Sequence, residues 1–151
     1  MEEQLVETVE DHGLVEEGNV VIQSFSQESL QTMHDLNDDI PLVQLLWWEE
    51  ENGELEEWMD ITPQPDEMTE ENFKEIGEYA VGIGPHLETD EGTQVLDEAF
   101  IEKTQNQDLL IHVYTINDQA EMKQLLDWGV DGILTDFPDR LHAVLEDQEK
   151  E

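Results

Sequence analysis

Along the chain, short runs of β-branched residues and leucine alternate with stretches in which apolar residues return every three or four positions. The first kind marks strands, and the second marks helices with one buried stripe. Five runs predict strands: Val20–Ser24, Pro41–Trp47, Ala80–Gly84, Leu109–Ile116 and Gly132–Thr135. Pro41–Trp47 is apolar at nearly every position, as expected of a strand covered on both faces. The chain opens on a helix over 4–10, with Leu5, Val6 and Val9 inward and Gly13 ending it. A second helix starts at Ser26 as its N-cap and runs through Leu30, Met33, His34 and Leu36. Thr69 opens a third, and Val95, Leu96, Ala99 and Phe100 make a fourth. Asp118 with Glu121 resembles a capping box for a fifth, over Met122, Leu125 and Leu126, which Gly129 stops. Asp136 is placed to cap a last helix near Pro138, with Leu141, Val144 and Leu145 on its inner side. Strand and helix in strict alternation mean parallel strands joined by helical crossovers, an α/β fold. Segment 49–72, crowded with Glu and carrying Trp58, Pro63 and Pro65, breaks the rhythm and reads as a long acidic loop.

Charge changes the picture. Five Lys and Arg stand against 41 Asp and Glu, a formal net charge of −36 over 151 residues. Such acidity is typical of disordered chains, but the periodic stretches require a folded core, so the acids form its solvated surface. Salt makes that surface tolerable, because the Debye length falls from about 10 Å at 0.1 M to about 3 Å at 1 M. Acids spread along the whole chain therefore predict adaptation to a salty medium; the other reading is an acidic surface that grips a basic partner. Nucleic acid and anionic membrane surfaces are excluded as direct ligands, since both need Lys and Arg. The lack of Cys excludes disulfides, thiolate zinc sites and Cys nucleophiles. No apolar run approaches the ~18 residues of a membrane span, and Met1-Glu2-Glu3-Gln4 is unlike a signal peptide. The chain is expected to be soluble, with no compartment marked.

Motifs for chemistry are sparse. Asp35-x-Asn37-x-Asp39 opens like a calcium loop, but Ile40 stands where Gly is needed and Leu46 where the bidentate Glu belongs. Gly-x-Ser-x-Gly is absent, and Gly82-x-Gly84 lacks the remaining parts of a phosphate loop. His12, His34 and His142 read as surface residues, and His112 shares a strand face with Tyr114, pointing into the closure of the sheet. His86 follows Gly84-Pro85 at a strand's carboxyl end, where α/β folds gather ligands, and is the histidine to test for acid–base work. Ser24, Phe25, Gln44, Tyr114, Asn117, Thr135 and Asp136 also lie at strand ends. They line a pocket, or Ser26, Asn117 and Asp136 simply cap helices.

Four stretches go further. His112-Val113-Tyr114-Thr115-Ile116-Asn117 is followed by Gly129-Val130-Asp131-Gly132-Ile133-Leu134-Thr135-Asp136-Phe137-Pro138. Together they resemble the end of the glycerophosphodiester phosphodiesterase family, where a Trp-Thr-Val-Asn strand end precedes Gly-Val-Asp-Gly-Ile-x-Thr-Asp-x-Pro. Upstream, Val21–Leu30 is similar to that family's Ser-Phe strand, and Tyr79–Pro85 resembles its bacillus-like members. The resemblance implies a (β/α)8 TIM-type barrel that hydrolyses glycerophosphodiesters to glycerol 3-phosphate and an alcohol with a divalent cation, Ca or Mg. It also implies a His-Arg-Gly, a Glu-x-Asp, a further His and a Glu-x-Lys on the first strands, and none of these is present. Five strands in place of the eight that fill roughly 250 residues correspond to the family's fourth through eighth.

The expectation is therefore the C-terminal five βα units of an incomplete barrel, spanning 1–151, inactive alone and binding no cation by itself. An N-terminal half would be its partner, and the glycerophosphodiester its substrate in the complete enzyme. No catalytic residue and no metal ligand is assigned. Tyr114 stands where the family has an active-site Trp, and with Ser24, Phe25 and Asn117 it is expected to form pocket wall. None of Lys74, Lys103, Lys123, Arg140 and Lys150 is expected at a strand's carboxyl end. The alternative is a non-catalytic acidic binding module built on a half barrel.

Overall fold

Capping residues fix where the helices begin. In the computed structural model, which describes residues 1–51, 54–57 and 63–150, the elements run α1 (Glu2–Asp11), β1 (Ile22–Ser24), α2 (Gln27–Leu36), β2 (Leu42–Leu45), β3 (Trp48–Glu51), β4 (Glu54–Glu57), α3 (Glu70–Gly77), β5 (Gly82–Gly84), α4 (Glu98–Gln105), β6 (Leu110–Val113), α5 (Gln119–Asp127), β7 (Gly132–Ile133) and α6 (Pro138–Gln148). The side chains of Ser26, Thr69, Asp97 and Asp118 accept from orphan N–H groups at the starts of α2, α3, α4 and α5. Thr69 and Asn72 satisfy each other's backbone in a full capping box. Gly13 and Gly129 stop α1 and α5 at φ of 69° and 87°, a conformation that disfavours any other residue. One expected cap is corrected: α6 starts at Phe137 without a side-chain bond, because Asp136 is turned toward Asn117 instead.

The strands pair in parallel in the order β1-β2-β5-β6-β7, with β1 and β7 at the ends. The pairing sets Gln44 beside Ile83 and Ile83 beside Ile111, which puts these side chains on one face. That face carries the core. Leu42, Ile83, Ile111 and Val113 pack there with Leu30, Met33, Phe73, Ile76, Ile101, Met122 and Leu125 from α2 through α5. Val43, Gly82 and Leu110 share the opposite face. On it, a side chain at Gly84 would strike Leu45 Cδ2 at 2.6 Å and one at Gly132 would strike the His112 ring at 2.8 Å. His112 is half-buried against Gly132 in this way. Leu110 on the same face remains 42% exposed.

Segment 49–72 is not a plain loop. β3 and β4 form an antiparallel hairpin, with Trp48 opposite Glu57 and Glu50 opposite Leu55. Trp48 is fully buried, and its indole Nε1 donates to the Pro63 carbonyl at 2.9 Å. Gln64 donates to the Leu55 carbonyl, and Met68 is buried in the core. The strands escaped the pattern because glutamates crowd both of them and only Trp48 and Leu55 carry an apolar signal. Asn52-Gly53 between them is the sequence signal of a tight hairpin. Trp58 lies outside the described residues.

Candidate functional site

The carboxyl ends of β2, β5 and β6 lead into an aromatic assembly centred on His86. Past the strand proper, His86 bridges Tyr114 in parallel. The amide N–H of Trp48 donates to His86 Nε2 at 3.0 Å, so Nε2 is the unprotonated nitrogen. Nδ1–H then donates to the Glu88 carbonyl at 2.9 Å. Burial pushes the imidazole pKa down from its ordinary value, which agrees with a neutral ring. Trp47 stacks on this ring at 4.6 Å between centroids and 11° between planes, and Tyr114 lies at 6.4 Å and 26°. Phe25 meets Tyr114 edge-on at 6.0 Å. The Tyr114 hydroxyl donates to the Leu46 carbonyl at 2.7 Å, and burial raises its pKa, so it stays a donor. Acid–base work by His86 is thereby corrected: both ring nitrogens are taken by backbone, and the residue braces the strand ends.

Of the four expected wall residues, Phe25 and Tyr114 come together. Ser24 Oγ accepts from the Ser26 amide at 3.0 Å and shapes the turn into α2. Asn117 is a clip between two loops. Its Oδ1 accepts from the Asp136 amide at 3.0 Å and Thr135 Oγ1 at 3.1 Å, and its Nδ2 donates to Asp136 Oδ2 at 2.9 Å. The expectation about cations needs one correction. Arg140 reaches the strand-end side, donating to the Asn117 carbonyl at 2.9 Å with its guanidinium 3.9 Å over the Phe137 ring. The first turn of α6 carries it there, a placement that the register of a helix with no side-chain cap did not reveal.

A cleft of about 450 Å³ opens beside the assembly, lined by Trp47, His86, Glu88, Asp90, Tyr114 and Glu121 among others. A smaller one of about 260 Å³ adjoins it across Trp47 and Asp90, adding Trp48, Glu49 and Glu50. Among the described residues, no Lys or Arg lines either. Bonds from Thr93 and Thr89 hold the Glu50 carboxyl below its ordinary range, the Thr89 hydroxyl donating at 2.7 Å. Partial burial, with Glu88 and then Asp118 nearby, pushes Glu121 up. Trp47, Glu88, Asp90 and Glu121 are wall residues that sequence reasoning missed. Their signal was position alone, on the first residues after strands or on a first helical turn. Among the described residues no group of three or more His, Asp or Glu is arranged to hold a metal ion. The cleft acids therefore do not fit a divalent-cation cage, and they supply no step that runs through one.

Parallel strands with helical crossovers, and a cleft at the strands' carboxyl ends, define a βα-repeat fold. The match is closer than that: the model of the glycerophosphoryl diester phosphodiesterase family covers residues 1–140, and the chain belongs to this family. A glycerophosphodiester phosphodiesterase of Bacillus subtilis is 37% identical over 148 residues, 95% of this chain and 44% of the relative. The chain spans about half the length of the curated relatives it matches, 44% and 50% for the two Bacillus phosphodiesterases. In fold it resembles a Silicibacter pomeroyi structure assigned as a glycerophosphoryl diester phosphodiesterase, with a TM-score of 0.73, 21% identity, and coverage of 99% of this chain and 44% of that one. It also resembles an Oleispira antarctica phosphodiesterase solved with the product sn-glycerol-3-phosphate, at a TM-score of 0.60, 14% identity, and 83% and 41% coverage. No described helix is long and apolar enough to cross a membrane.

Proposed function

We propose that the chain supplies the C-terminal five βα units of a barrel that hydrolyses glycerophosphodiesters to glycerol 3-phosphate and an alcohol. Its part is one wall of the substrate site, and the cation-binding residues come from outside these 151 residues. The observation that carries this is the lining of the strand-end clefts, rich in aromatic and acidic side chains and, among the described residues, without a Lys or Arg. A phosphoryl transition state needs its charge neutralised, and carboxylates on their own repel it. The half-exposed Leu110 on the sheet face opposite the core fits a barrel whose interior is filled by further strands. In this reading Tyr114 and Phe25 are wall, Ser24 and Asn117 hold the loops that shape it, and Ca or Mg arrives with the other half. The chain alone is inactive.

The test is hydrolysis of glycerophosphocholine with added Ca or Mg, by the chain alone and after mixing with the separately produced N-terminal half of the Bacillus subtilis relative. Turnover is expected only in the mixture. Turnover by the chain alone would refute the division of labour.

A further inference from the structure

We infer that the cleft beside Trp47 and Tyr114 is an alcohol subsite for a positively charged head group, an organic ammonium, so that glycerophosphodiesters of amino alcohols are preferred over those of neutral alcohols. This deepens the phosphodiesterase reading and rests on it. The cleft, at about 450 Å³, lies within the range of small-molecule sites, about 300–1,000 Å³. Two of its walls are π-systems, the half-buried rings of Trp47 and Tyr114. The indole face is the strongest of the side-chain partners for a cation. Its remaining polar lining includes the carboxylates of Glu88, Asp90 and Glu121, and among the described residues no Lys or Arg lines it. Glu121 already titrates above its ordinary range through burial and through Glu88 and Asp118, a crowding that a bound cation relieves.

His86 completes the argument. A protonated imidazole behind Trp47 would oppose an ammonium, but this ring is neutral and both nitrogens are engaged by backbone. The Tyr114 hydroxyl is likewise spent on the Leu46 carbonyl, so the tyrosine offers the cleft its ring more than its oxygen. A phosphate in the same place would meet only repulsion. A neutral alcohol could donate a hydroxyl hydrogen bond to the carboxylates but brings no positive charge to offset theirs.

The experiment titrates the chain with choline, with its uncharged isostere 3,3-dimethylbutan-1-ol, and with glycerol 3-phosphate, by calorimetry in molar NaCl to suppress diffuse attraction. Choline is expected to bind saturably and about tenfold more tightly than the isostere, with no binding of glycerol 3-phosphate. Trp47→Leu is expected to weaken choline by roughly 2- to 30-fold. Glu121→Gln, at a more open position that leaves the core intact, is expected to weaken it severalfold. Glu7→Gln, the same charge change on the exposed side of α1, is expected to leave it unchanged. Equal binding of the isostere, an equal effect of Glu7→Gln, or no saturable choline binding overturns the inference. Failure of the phosphodiesterase reading looks different: choline binds, yet no mixture of halves hydrolyses any glycerophosphodiester. If a mixture hydrolyses glycerophosphoglycerol as fast as glycerophosphocholine, that reading stands and the subsite is wrong.

Discussion

Replacing His86 with Leu puts an apolar side chain of similar size in a site that is only 4% exposed and removes both ring nitrogens. The Trp48 amide loses its acceptor at 3.0 Å, and the Glu88 carbonyl loses its donor at 2.9 Å. The carbonyl is part-buried and can take up water, whereas the amide sits beside a fully buried indole. One buried donor left unpaired costs about 1–3 kcal/mol. In a chain of this size each kcal/mol lowers Tm by roughly 2–4 °C. The pH dependence supplies a second handle. His86 has its pKa lowered from 6.5 by burial, so below that value the unfolded chain takes up a proton that the folded chain refuses. Stability contributed by this site is therefore constant above the unfolded pKa and falls as pH drops from it toward the folded value. Urea unfolding followed by circular dichroism, in molar NaCl at about pH 7.5, 6 and 5, reads both effects. His86→Leu is expected to be less stable at the highest pH and to lose less stability on acidification than the parent. An unchanged midpoint, or an acid slope as steep as the parent's, refutes the bracing role.

Other expectations follow from the same contacts. Gly82→Ala would set a Cβ 2.6 Å from the Leu110 carbonyl oxygen, a backbone atom that cannot move aside, and is expected to cost about 1–3 kcal/mol. Gly84→Ala meets the tip of Leu45 at 2.6 Å and is expected to cost less, since that side chain can rotate; urea midpoints in the reverse order would contradict this. Asn117→Ala removes the acceptor of the Asp136 amide and should speed its hydrogen exchange while α5 amides keep their rates; equal exchange at Asp136 would remove the clip. With a net charge of −36, the thermal midpoint is expected to rise from dilute buffer to molar salt, and a midpoint indifferent to salt counts against adaptation to a salty medium.

The alternation of strands and helices was legible because α2, α3 and α5 each carry a local start signal. Ser26, Thr69 and Asp118 cap where a sequence reader puts them, since a cap is a contact between residues two or three apart. Asp136 failed as a cap for the opposite reason: its partner Asn117 is 19 residues away, and nothing local announces that bond. The hairpin at Trp48–Glu57 was hidden by its own acidity, although its Asn-Gly dipeptide was in plain view. The site was half legible. Strand-end position and family motif drew attention to Phe25 and Tyr114, which do meet. They could not show that His86 is consumed by the backbone, or that Trp47 leans on it, because both depend on where β2 and β5 leave the sheet relative to each other. Leu110 sits in a run that reads simply as a strand, and its 42% exposure was not legible there, because a residue on the sheet face opposite the core is covered only by whatever lies on that side.

Both braces of this wall end on main-chain atoms: His86 on the amide of residue 48 and the carbonyl of residue 88, Tyr114 on the carbonyl of residue 46. The grip on residue 88 is blind to the side chain that residue carries. Descent can therefore exchange the charge at 88 without loosening this grip, while at 48 a proline, which has no amide hydrogen, would break the grip there outright. Where the wall stands and what it prefers to touch are inherited separately.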